Sequence, residues 1–251
     1  MKQTSTTEAT MPAKGAVLAE VSVLRDGRRI LDRLSLSITE QRVGIVGRNG
    51  SGKTTLARLL AGLIAPDEGR LRLDGHDPAA DRRRALGLVG ILFQNPDHQI
   101  IFPTVVEELA FGLVQQGQTK SGAEAGAARV LAAFGRSHWS SRAVHELSQG
   151  QRHLVCLMAV IAMAPPLLIL DEPFAGLDIP TARALQRLLA ARPERVIHIT
   201  HDPAALAGYD RVIWLEQGRI AGDGPADAVL AEFVAEMERL GGSDDRTDLA
   251  G

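Results

Sequence analysis

The sequence predicts an α/β fold with a mostly parallel sheet, a small antiparallel layer from its N-terminal end and a helical insertion. Three observations predict it. Short, largely apolar runs of strand length recur at Val43 to Val46, Leu86 to Phe93, Leu167 to Leu170, Val196 to Thr200 and Val212 to Leu215, several of them separated by helical stretches. Strands buried on both faces that alternate with helices pair in parallel. Ala16 to Leu24 and Arg28 to Ile38 instead alternate apolar with polar residues, the pattern of a hairpin with one solvated face. From Asn95 to Ala164 the pattern is predominantly helical.

In chain order, residues 1–15 and 241–251 are polar and aperiodic and are read as frayed tails around a single domain spanning 16–240. Arg25-Asp26-Gly27 turns the hairpin. The run Val43 to Val46 enters a glycine-rich turn, after which Leu56, Leu59, Leu60 and Leu63 share one helical face. Leu86 to Phe93 is expected as the next strand, and the insertion of about seventy residues, 95–164, follows it. Leu154 to Leu170 carries no polar side chain, yet Pro165-Pro166 removes two backbone donors and divides it. The result is a buried helix to Ala164 and a short strand, too broken for the ~20 residues of a membrane-crossing helix. Thr181 to Ala190 is a helix between that strand and Val196 to Thr200.

Composition sets limits on function. At 251 residues, 45% hydrophobic and 23% charged, the chain can bury a sizeable core. Its 28 basic and 30 acidic residues leave a net charge of −2, which supplies no attraction for nucleic acid. One cysteine, Cys156, cannot form an internal disulfide, and the polar start lacks the apolar core of a secretion signal, so the chain reads as cytosolic. Cys156 lies in the apolar helix and reads as a small filler.

Gly47-Arg48-Asn49-Gly50-Ser51-Gly52-Lys53-Thr54 fits the phosphate-binding pattern GxxxxGK[ST] and lies between a predicted strand and a predicted helix. Backbone N–H groups and the helix N-terminus cradle phosphates there, Lys53 neutralises the outer ones, and Thr54 offers a hydroxyl to Mg²⁺. Thr55 is counted with this nucleotide-binding set. The strand Leu167 to Leu170 ends in Asp171-Glu172, where ligands of open α/β sheets bind. Asp171 suits water-mediated coordination of Mg²⁺, and Glu172 suits orienting or deprotonating water. By the same strand-end argument Gln94 reaches metal or water, and His201 joins Glu172 to the outer phosphate. Three residues before His201, His198 points to the other face, so the two form no metal site. Leu147-Ser148-Gln149-Gly150-Gln151 precedes the long apolar helix with Ser148 placed as N-cap, which explains the motif by capping alone or makes it a second anion site.

Together these motifs, with Ala175-Gly176-Leu177-Asp178, resemble the ordered series of an ATP-binding cassette ATPase over roughly 16–240. The resemblance implies a P-loop NTPase with a RecA-like core. It also implies two subunits, identical or paralogous, head to tail around two ATP molecules, each held by the phosphate loop of one and the Ser148 and Gly150 region of the other. In that scheme Gln94, Glu172 and His201 are catalytic, Thr54, Gln94 and Asp171 serve the metal, and Asp178 crosses the interface.

Phe93 to Phe102, followed by Thr104 to Gly112, is similar to the stretch that sets apart the ATPases of energy-coupling factor importers of vitamins and transition-metal ions. That implies a transmembrane coupling protein and a substrate-binding membrane protein as partners, with Asp97 and Gln99 linking the ATP site to the membrane. The expected location is peripheral, on the cytoplasmic face of the cell membrane. Gln149, where most cassettes have glycine, is similar to the biotin-type members. One departure is that Val17 to Arg29 lacks the usual adenine-stacking aromatic, leaving Leu24 or Arg25 in that role. The alternatives are a soluble cassette ATPase acting on DNA or ribosomes, which would show a long coiled coil, tandem cassettes or a basic surface, and a small-molecule kinase, which has no use for Leu147 to Gln151.

Overall fold

The computed structural model describes residues 14–242. Most of the expected tails, 1–13 and 243–251, lies outside the described residues. Strands β1 (Ala16–Arg25) and β2 (Arg28–Ile38) form the expected antiparallel hairpin, turned by Asp26 and Gly27. Strand β3 (Arg42–Val46) leads through the glycine-rich loop into helix α1 (Lys53–Leu60). Leu56, Leu59 and Leu60 are buried as expected, but the helix stops before Leu63, which is 46% exposed. Gly62 adopts a left-handed φ of +70° just after the C-cap, ending the helical face one residue short of Leu63.

Strand β4 (Glu68–Leu73), absent from the sequence reading, pairs with β1 and completes a three-stranded sheet of order β2-β1-β4. Helix α2 (Arg82–Leu88) and strand β5 (Val89–Leu92) then divide the run expected as one strand. The Asp81 side chain caps α2 by accepting from Arg84 N–H at 3.0 Å, and Leu86 is 60% exposed on it. Gly87 just before the junction is matched by Gly90 inside the strand, so neither glycine nor periodicity singles out the boundary. Helices α3 (Val105–Gln115), α4 (Lys120–Ala133) and α5 (Gln149–Ala162) build the insertion.

Strand β6 (Leu167–Asp171) follows the proline pair, then helix α6 (Ile179–Ala190), strand β7 (Arg195–Ile199) and strand β8 (Arg211–Glu216). Strand β9 (Arg219–Gly224) turns back antiparallel on β8, and helix α7 (Ala226–Gly242) runs two residues past Leu240, where the sequence reading ends the domain. The main sheet has the order β5-β6-β7-β3-β8-β9, parallel except for β9. Its two faces feed different cores. Ile45, Ile169, Ile197, Ile199 and Ile213 pack with α1 and the antiparallel sheet, whereas Leu168, Leu170 and Val196 pack with the insertion and α6. Because neighbouring parallel strands run the same way, the C-terminal ends of β3, β6 and β7 converge on one edge.

His198 on β7 points away from Ile197 and Ile199 and is fully buried, with Nδ1 3.0 Å from the Tyr209 hydroxyl. Burial pushes its imidazole down to about 3. The unfolded chain takes up this proton near pH 6.5, so between pH ~6.5 and ~3 the unfolded state binds one proton more. Stability is therefore lost as pH falls through that window, at about 1.4 kcal/mol per unit from this group. His198→Asn, which keeps a polar partner for Tyr209, should remove one proton from the pH slope of unfolding free energy measured by denaturant titration. An unchanged slope would reject the assignment.

Candidate functional site

The glycine-rich loop closes around its own lysine. Lys53 Nζ donates to the carbonyls of Gly47 at 2.7 Å and Arg48 at 2.8 Å, and Gly218 N–H donates to the Ser51 carbonyl at 3.0 Å from the β8–β9 turn. Gly52 has φ +105°, and a Cβ there would come within 2.9 Å of the Ile30 carbonyl, so both its conformation and its neighbours require glycine. Burial lowers the Lys53 pKa, while the carboxylates of Glu172, Asp171 and Glu216 oppose that shift and favour the cation.

Two acids stand at the end of β6. Asp171 Oδ2 accepts from the Thr54 hydroxyl at 2.9 Å, joining strand end to phosphate loop. Burial raises the Asp171 pKa, and the Thr54 bond and Lys53 charge oppose that. Glu172 takes a left-handed φ of +53°, held by its N–H donating to the Ile199 carbonyl at 2.9 Å. Such a backbone costs about 1–3 kcal/mol and persists only where its surroundings fix it; here it turns the carboxylate toward the end of β7. There Oε2 accepts from the Thr200 hydroxyl at 3.0 Å, and Oε1 accepts from His201 N–H at 2.9 Å and lies 2.7 Å from His201 Nδ1.

These groups surround one cleft of about 570 Å³, lined by Asn49, Gly50, Gly52, Lys53, Thr54 and Thr55, by Gln94, Asp171, Glu172 and His201, and by Ile30. Gly47 and Arg48 line a neighbouring cleft with Asn49, His201 and Phe233 of α7, and the buried Ser51 hydroxyl has no hydrogen-bond partner among the described residues. Leu24 and Arg25, expected where an aromatic is missing, do not line the cleft; Arg25 instead bonds the Leu24 carbonyl at 3.0 Å. Ile30 supplies the apolar wall. Its place in the hairpin, directly opposite Gly52, is a contact that spacing does not reveal.

Ser148 and Gly150 lie elsewhere. Ser148 Oγ accepts from Gln151 N–H at 3.3 Å and Gln151 Oε1 accepts from Ser148 N–H at 3.0 Å, a complete capping box. The two residues line a separate cleft of about 190 Å³ with Gly176, Asp178 and Arg136. A Cβ on Gly150 would meet the Gly176 carbonyl at 2.3 Å, so this glycine is where α5 touches the turn after Glu172. Gln149 is exposed and meets no such limit. Asp178 Oδ1 caps α6 by accepting from Thr181 N–H at 2.7 Å, which holds its pKa low. Phosphate-loop residues and Ser148-side residues thus open on different clefts of one chain.

The segment after β5 is stapled back on itself. Gln99 Oε1 accepts from Phe93 N–H at 3.1 Å, and Asn95 Oδ1 accepts from Asp97 N–H at 2.9 Å. The buried Glu108 carboxylate accepts from Ile101 and Phe102 N–H, both at 2.9 Å.

Residues 31–175 match the family model described as ABC transporter. The chain is 52% identical over 223 residues to the biotin transport ATP-binding protein BioM of Rhodobacter capsulatus, covering 89% of this chain and 95% of that protein. It is 43% identical to BioM of Rhizobium etli, covering 82% and 92%. Among solved structures it is similar to CbiO1 of Clostridium perfringens, part of the ABC transporter complex CbiONQ, with TM-score 0.73 and 28% identity over 90% of this chain and 94% of that one. The dimeric cassette MJ0796 bound to ADP and Pi shares the fold, with TM-score 0.75 and 23% identity over 84% and 98%.

Proposed function

Because the chain belongs to the ABC transporter family, as an ATP-binding subunit that hydrolyses ATP, we propose that it powers a membrane importer of the energy-coupling factor type whose solute is biotin. The near end-to-end likeness to two biotin transport ATP-binding proteins carries the choice of solute. The separation of the ATP-handling residues into two clefts supports a shared site: Lys53, Glu172 and His201 of one subunit face Ser148, Gly150 and Asp178 of a second, identical or paralogous.

Within the shared site the loop from Gly47 to Thr55 binds the phosphates, with Lys53 leaving its two carbonyls to meet them. Glu172 orients the attacking water and takes its proton as the bond between the β-bridging oxygen and the γ-phosphorus breaks, releasing ADP and phosphate. His201 Nδ1 fixes the Glu172 carboxylate, and Gln94 reaches the water or metal from the end of β5. The oxygen donors of Thr54, Asp171 and Gln94 fit a hard divalent cation, and Mg²⁺ held there would neutralise phosphate charge. Among the described residues no helix is long and apolar enough to cross a membrane. Attachment to the cytoplasmic face therefore belongs to a transmembrane coupling protein and a substrate-binding membrane protein, met through the 93–102 segment.

Purifying the tagged chain from detergent-solubilised membranes should bring down two membrane proteins and a complex that retains radiolabelled biotin. A chain that comes down alone, or a complex that exchanges no biotin, overturns the proposal. A shared site also requires that turnover per subunit fall on dilution below the dimerisation constant. Turnover that stays constant into a regime shown by light scattering to be monomeric would reject it.

A further inference from the structure

Arg152 stands one turn into α5 and is tied to two places at once. Its Nη1 donates to the Leu147 carbonyl at 2.8 Å, directly before Ser148, and its buried Nε, which makes no hydrogen bond among the described residues, forms an ion pair with Asp97 Oδ1 at 3.1 Å. The Arg152 side chain is 25% exposed and Asp97 59%, so the pair is partly shielded from water. Among the described residues this is the ion pair that either side chain makes. Asp97 belongs to a single 3₁₀ turn, Pro96–His98, that rests on α5: the buried Cys156 Sγ, one turn beyond Arg152, lies 3.9 Å from the Pro96 carbonyl. The same turn is anchored to the end of β5 through Gln99 and Phe93, next to Gln94 in the ATP cleft. Leu147 is itself buried in the apolar cluster of the insertion, so its carbonyl is a fixed point.

A continuous connection therefore runs from Gln94 in one cleft, through the exposed turn at Asp97, to Arg152, Leu147 and Ser148 in the other. A planar guanidinium can hydrogen-bond a carbonyl with one edge while its spread charge attracts a carboxylate beside another, which a lysine ammonium on a flexible stem does poorly. We propose that Arg152 is a positioning residue: it transmits force borne by the Asp97 turn to Ser148, so that a membrane partner pressing on that turn resets the phosphate-contacting end of α5. The functional half of this inference rests on the importer reading; the mechanical half does not.

Asp97→Asn, Arg152→Gln and the double variant separate the two. In the isolated full-length chain, hydrogen exchange over residues 147–151 should rise at least threefold in each single variant and no further in the double, with Asp97→Glu restoring protection. A merely structural Arg152 would not respond to Asp97→Asn, an exposed change fifty-odd residues away in sequence. Unchanged exchange in Asp97→Asn, or multiplying effects in the double, overturns the tie. In the purified membrane complex, partner-stimulated hydrolysis should fall about tenfold in each single variant and by the same tenfold in total in the double; full stimulation in either single variant, or a loss near a hundredfold in the double, overturns the positioning role. If exchange responds but wild-type chain yields no membrane complex, the importer reading fails and the tie stands.

Discussion

Replacing Glu172 with glutamine should lower steady-state ATP hydrolysis by at least ~10²-fold, the loss typical of removing a general base, while ATP still binds. Glutamine keeps the length and one of the two acceptor oxygens. Its Oε1 can still accept from His201 N–H, and its amide nitrogen donates to the Thr200 hydroxyl oxygen instead of accepting from it. The backbone at φ +53° keeps the bond from its own N–H to the Ile199 carbonyl. What the amide lacks is a site for the proton of the attacking water. The groups proposed to bind phosphate, Lys53 and the loop N–H groups, are untouched, so nucleotide affinity by equilibrium binding should stay within a fewfold of wild type. Because the bound state forms but cannot be consumed, the dimer closed on ATP should accumulate and be visible by size-exclusion chromatography. Unchanged turnover removes Glu172 from its role. Lost ATP affinity instead shows that the carboxylate matters to binding and that the division of labour with Lys53 is wrong.

How much of this was legible in the sequence depends on whether neighbours in space are neighbours in the chain. The phosphate loop is contiguous, and its flanking strand and helix follow from periodicity, so Gly47 to Thr55 could be read directly. Asp171, Glu172, Gln94 and His201 come from three strands, yet each stands just past a strand's apolar run, and a parallel sheet brings such ends together. The structure places all four in the cleft with Lys53. Other features have no local signal. Ile30 reaches the cleft because the hairpin folds over Gly52, and it lies one residue beyond the Val17 to Arg29 stretch where a stacking aromatic is expected. Leu86 to Leu88 are as apolar as the strand that follows, and it is the Asp81 cap that makes them helical. The Arg152–Asp97 contact joins residues on separate elements whose types are ordinary on any surface. Gly150 is legible as part of a motif, but its reason, the approach of the Gly176 carbonyl, is a contact between separate segments that no local pattern carries.

Lys53→Ala should weaken ATP binding by about 10³-fold. A unit charge about 4 Å from a phosphate contributes ~4 kcal/mol at an effective dielectric of about 20, and tenfold in affinity is ~1.4 kcal/mol. Two opposing terms set the net effect. Lys53 must leave the Gly47 and Arg48 carbonyls to meet the triphosphate, which spends part of that energy. Against this, removing the ammonium leaves Asp171, Glu172 and Glu216 without the cation they surround, and their charge then repels the nucleotide. The second term compounds the loss, so the estimate holds even after the first is subtracted. The loop itself should survive, because Gly218 N–H still holds the Ser51 carbonyl and Thr54 still bonds Asp171; a cooperative melting transition checks that. Titration calorimetry with ATP then decides: a well-folded variant with wild-type affinity means that this lysine does not meet phosphate, and the loop from Gly47 to Thr55 would lose its assigned role with it.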